Sequence, residues 1–212
     1  MTASQERQGL ESRPAGEQYD VVGARFGMWL FLFTEVLLFG GLFILYSSFG
    51  YIYRKQFLQG THELNLVLGS LNTVVLLTSS LSVACAIAAT KRGDRRLSML
   101  LLLVTVLLAL VFLVNKYFEW SHKIEHGIYP NSPTLLKMDK GLVIFYGLYF
   151  VMTGLHALHV IVGAVLLSIM TLYVGKGWVN TGRNVLLENS GLYWHIVDIV
   201  WIFLFPLFYL IR

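Results

Sequence analysis

The chain has 212 residues, 56% of them hydrophobic and only 13% charged, with a mean hydropathy of +0.66. This excludes an ordinary water-soluble domain and leaves an integral membrane protein. The formal net charge of +4 is spread over short loops, so it reports orientation across a bilayer and gives no reason to expect nucleic acid.

Residues 1–26 are polar, with three arginines and three glutamates, and lack the basic start, apolar stretch and small-residue cleavage site of a secretory signal. They read as a retained cytoplasmic tail. A spanning helix needs roughly 20 apolar residues, and five stretches qualify: about 27–53, 65–90, 97–118, 142–174 and 188–211. Backbone groups cannot stay unpaired in lipid and the two-residue alternation of a barrel is absent, so the expected fold is all-α. It is a five-helix transmembrane bundle forming one domain, 27–212.

The first stretch, "FGMWLFLFTEVLLFGGLF", sets Glu35 about 12 Å of helix rise inside an apolar run. A charged acid is costly there, which leaves a neutral or hydrogen-bonded carboxyl. It ties two helices together, stands near a proton-uptake route or contacts a lipid headgroup. The second stretch carries Ser80, Ala84 and Ala88 at spacing four, the pattern of a packing helix. Its lone Cys85 excludes an intrachain disulfide and reads as a small buried apolar side chain.

The third stretch, "MLLLLVTVLLALVFLV", predicts a broad lipid-facing side. Beyond it, Glu119 and Trp120 read as an interfacial anchor and Lys116 as a snorkelling side chain. His62, His122 and His126 fall in loops and are expected to be solvated.

The fourth stretch, "TGLHALHVIVGA", sets Met152, His156, His159 and Gly163 on one face. The fifth, "ENSGLYWHIVDIVW", sets Glu188, Gly191, His195 and Asp198 on one stripe, with Tyr193 and Trp194 pointing elsewhere. His195 and Asp198 are one turn apart and can hydrogen-bond. A haem or metal site needs converging ligands from several helices, and these histidines offer no carboxylate or cysteine at ligand spacing. They are read as interhelical hydrogen-bonding groups, with no metal and no cofactor in this chain. No phosphate-binding glycine loop or activated nucleophile is recognisable.

Five crossings put the ends on opposite sides. The tail, the second linker and the fourth carry nine lysines and arginines, against seven for the remaining loops and Arg212. "KRGDRR" is the densest cluster, which places the N-terminus in the cytoplasm and the C-terminus outside. The third linker, about 119–140, then faces out as the one loop with room for a partner.

In that order, "GMWLFLFTEVLLFGGLF", "LNTVVLLTSS", "RGDRR", "TGLHALHVIVGA" and "YWHIVDIVWIFLFPLFYL" resemble the subunit III family of the haem-copper oxidases, cytochrome c oxidase subunit III, over residues 24–211. The resemblance sets Glu35 on the family's reagent-sensitive glutamate, His156 and His159 on its paired histidines, and Tyr193, Trp194, His195, Asp198 and Trp201 on its last-helix pattern. It implies a non-catalytic core subunit of a bacterial aa3-type cytochrome c oxidase in the cell membrane. Haem and copper would sit in subunits I and II. This chain would pack mainly on subunit I, hold structural phospholipids in a cleft, support proton uptake and catalytic lifetime, and could join a respiratory supercomplex. The long form of the family has two further helices before the Glu35 segment, so the chain resembles the short five-helix form, and fusion to another subunit is one way the family could supply that pair. Glu35 and "YWHIVDIVW" favour the cytochrome c branch, with a quinol oxidase subunit III as the alternative.

Overall fold

The computed structural model describes residues 15–179 and 184–211, with side chains from residue 22 onward within those limits. Most of the polar tail, Arg183 and Arg212 lie outside the described residues. The helices are α1 (Ala15–Ile52), α2 (Arg54–His62), α3 (Leu66–Lys91), α4 (Arg95–Glu125), α5 (Lys140–Lys176) and α6 (Val185–Phe205). A short 3-10 turn, Leu135–Lys137, precedes α5, and α6 runs on into a wider turn, Pro206–Leu210. Among the described residues there is no strand. Five helices, α1 and α3 to α6, are long and apolar enough to cross a membrane, as the hydropathy pattern predicts.

Local chemistry sets the ends. Asn65 caps α3 by accepting from the backbone N–H of Val67 at 3.0 Å and Leu68 at 3.3 Å. Asp94 caps α4 by accepting from Leu97 N–H at 3.1 Å. Gly177 closes α5 at φ 77°, a left-handed conformation that costs a side chain dearly. The segment "RKQFLQGTH" lies between the first two predicted spans, yet it is helical as α2 and buries Phe57, Gly60 and Thr61. A Cβ on Gly60 would stand 2.4 Å from the Phe145 ring, so the missing side chain is what lets α2 lie against α5.

α3, α4, α5 and α6 form a closed ring, each packed on the next and α6 returning to α3, while α1 sits outside on α5 and α6. Only 11% of the most apolar window of α1 is buried, against 28–50% in the ring helices. The α3–α4 seam uses small polar residues. Ser82 donates to Leu101 O at 2.8 Å, and the Thr90 and Ser98 hydroxyls are 2.7 Å apart. The packing face of α3 is therefore Ser79, Ser82, Val83, Ala86, Ala89 and Thr90. The predicted ladder is offset from it, because Ala84 and Ala88 are exposed and Cys85 faces outward rather than into the core.

Candidate functional site

α1 and α5 cross at mid-length, and there Glu35 meets His159: Oε2 and Nε2 are 2.8 Å apart, with both side chains 14% exposed. The opposite ring nitrogen, Nδ1, is 2.7 Å from Leu155 O. A carbonyl oxygen only accepts, so Nδ1 carries a hydrogen. Nε2 then either accepts a proton from a carboxylic acid or donates one to a carboxylate. In both arrangements one proton lies between the two groups and the pair is neutral overall, which makes it tolerable in hydrocarbon. Phe39 sits edge-on to the His159 ring at 5.4 Å, and the Tyr193 hydroxyl donates to His159 O at 3.3 Å. Phe31 stacks on Tyr193 at 5.9 Å.

The remaining residues singled out in the sequence are distributed around this pair. Glu188 lies at the end of the bundle where α1 begins, between Arg25 of α1 at 3.1 Å and Lys91 of α3 at 2.9 Å. Asn189 donates to Ala24 O beside it at 3.3 Å. Trp194 is buried and donates to Ser79 Oγ at 3.1 Å. A Cβ on Gly163 would stand 2.7 Å from the Trp194 ring, so that glycine is what lets α5 and α6 approach.

His195 does not bond Asp198 as its spacing allows. Its Nδ1 instead lies 2.6 Å from Ser80 Oγ on α3. The same hydroxyl faces the buried Asp198 carboxyl, whose Oδ1 has no partner within the chain. Gly191, His195 and Asp198 therefore all address α3, with Ile87 and Val83 against Gly191. His156 departs from the expected interhelical hydrogen bond. It is fully buried, with Phe112 at 5.5 Å and Trp201 at 5.2 Å, and neither nitrogen has a hydrogen-bond partner in the chain.

A second polar cluster was missed. α4 continues past residue 118, and its last turns stay inside the bundle. Lys116 and Glu119 pair at 3.0 Å with side chains 2% and 5% exposed, so Lys116 does not snorkel and Glu119 is no interfacial anchor. Lys116 also donates to the hydroxyls of Tyr149 at 3.3 Å and Tyr209 at 3.0 Å. Both tyrosines in turn donate to Glu119 Oε1, at 2.8 and 2.6 Å. All three ammonium hydrogens have acceptors and both carboxylate oxygens have donors. Next to it Lys123 lies over the Tyr146 ring at 5.2 Å, and Tyr146 donates to Glu63. Among the described residues, no group of three or more His, Cys, Asp or Glu side chains could hold a metal ion.

The family model described as cytochrome c oxidase subunit III matches residues 11–211. The heme-copper oxidase subunit I+III of Aeropyrum pernix is 34% identical over 196 residues, 88% of this chain but 22% of that protein. Cytochrome c oxidase subunit 3 of Corynebacterium diphtheriae is 32% identical over 192 residues, covering 88% of this chain and 87% of the relative. A probable quinol oxidase subunit 3 of Staphylococcus epidermidis is 30% identical over 189 residues, 88% of both.

Proposed function

The chain belongs to the cytochrome c oxidase subunit III family, whose members associate with the other subunits of a haem-copper oxidase, and we propose that it sustains proton uptake and catalytic lifetime in an aa3-type, cytochrome c-oxidising complex. It packs on subunit I, contacts subunit II and holds phospholipids between its helices. Haem and copper belong to those partners, a reading supported by the dispersed placement of the histidines here. The observation that carries the proposal is the contact of Glu35 with His159 at 2.8 Å inside two spanning helices, a geometry that suits one shared proton. A pair of that kind can relay a proton by taking one up as it releases another, which leaves no net charge in hydrocarbon.

The N-terminus is cytoplasmic in this proposal. Lys116 and Lys123, which the loop count assigns to the outer side, are buried against acids and aromatic rings. Discounting them widens the bias towards the side of "KRGDRR".

Glu35→Gln tests the function. The amide can still donate to His159 Nε2, so assembly with subunits I and II should persist. It cannot exchange the proton, so oxygen consumption should fall as proton supply becomes limiting and inactivation during turnover should quicken. Oxygen consumption across pH and an inactivation rate both equal to wild type would remove Glu35 from the mechanism. The quinol branch is the second reading, favoured by the 30% identity to a probable quinol oxidase subunit. Supplying the purified complex with reduced cytochrome c or with a quinol separates the two.

A further inference from the structure

We propose that a cavity of about 440 Å3 at the far end of the bundle, between the end of α1, α2 and the end of α6, binds one anionic phospholipid with its phosphate on Arg54. That volume lies within the range of ligand sites. The wall is mostly carbon: Tyr46 and Phe57 are buried edge to face at 5.0 Å, with Leu58 and Leu207 beside them. Its two buried hydroxyls are already engaged, Tyr46 donating to Leu207 O at 2.9 Å and Thr61 to Phe57 O at 2.9 Å. The cavity therefore suits an acyl chain.

Its rim carries the opposite chemistry. Arg54 and Lys55 are exposed, and neither has a carboxylate within ion-pair distance among the described residues. The spanning part of α1 ends at Ile52, so both cations stand at headgroup level with the apolar wall below them. A zwitterionic lipid would bring a quaternary ammonium up to two unpaired cations, whereas an anionic one brings only negative charge. Tyr46 lies roughly 16 Å of helix rise beyond Glu35, so the site does not rest on the carboxyl and imidazole pair; it deepens the lipid-holding part of the proposed function and rests on that part alone.

The test uses the intact oxidase complex, delipidated and then offered phosphatidylglycerol or phosphatidylcholine, with bound lipid counted by native mass spectrometry. The wild type should retain one more phosphatidylglycerol than Arg54→Gln, whose affinity for that lipid should fall about fivefold while phosphatidylcholine binding changes little. Ser47→Trp, an exposed lining position that tolerates a larger side chain, should block the acyl chain and lower binding of both lipids. Unchanged preference in Arg54→Gln, or unchanged binding in Ser47→Trp, would overturn the proposal. A benzophenone at position 47 should label lipid. A polypeptide adduct would assign the cavity to a partner subunit and overturn the proposal equally.

Discussion

Lys116→Met is the most discriminating change in the bundle interior. It removes the cation and two of its hydrogen bonds to tyrosine, but leaves Glu119 buried with only the Tyr149 and Tyr209 hydroxyls to stabilise it. The side chains are 2% and 5% exposed, so solvent cannot replace the lost partner. Breaking a buried pair from one side costs about 3–5 kcal/mol, whereas replacing both partners by apolar groups is often neutral or better. Lys116→Met should therefore lower the unfolding midpoint of the detergent-solubilised complex by on the order of 10 °C. The double variant Lys116→Met/Glu119→Leu should recover most of that loss, giving a coupling energy of at least about 2 kcal/mol. Thermal unfolding of wild type, both single variants and the double closes the cycle. If the double variant is as unstable as the two single losses added together, the pair is not behaving as a desolvated ion pair and the reasoning fails.

Other positions give sharper local tests. Gly163→Val puts side-chain atoms into the Trp194 ring and should cost about 1–3 kcal/mol, partly relieved by Trp194→Leu; unfolding midpoints of both variants show it. Glu188→Gln should change stability by no more than about 1 kcal/mol, because its two cations are 55% exposed. Melting at low and high salt checks this, since the small difference should vanish as screening rises. Ser80→Ala takes the shared hydroxyl from His195 and Asp198 and should cost about 1–3 kcal/mol. Ser80→Thr should restore it, and equal melting of Ser80→Ala and wild type would show that the hydroxyl holds nothing.

The spans were legible because hydrocarbon demands long apolar helices, and Glu35 stood out because an acid in such a run needs a reason. Its partner was not legible. Spacing along a helix gives faces, but not how two helices are rotated against each other, so nothing in the chain order joined Glu35 to His159. The same limit misled the reading of His195: Asp198 is one turn away on its own helix, yet Ser80 across the interface is nearer, at 2.6 Å. The Lys116 cluster was more accessible. Lys116, Glu119 and Lys123 continue the three-four spacing of Leu102, Thr105, Ala109 and Phe112, all buried. Hydropathy falls at residue 118 while the helical period runs on, and the period was the better guide. α2 was hidden for the opposite reason, being a polar helix whose few buried residues show no apolar stripe.

The scant burial of α1 bears on how the chain is made. Acyl chains compete evenly with neighbouring apolar side chains, so the polar links of α1 decide where it rests. Those links join residues far apart in the chain: Arg25 to Glu188, 163 positions on, Glu35 to His159, 124 on, and Tyr46 to Leu207, 161 on. During synthesis α1 therefore enters the bilayer long before its moorings are translated. Until His159 emerges, the nascent helix holds its acid alone in the lipid, which makes this the stage at which a membrane chaperone has most to shield.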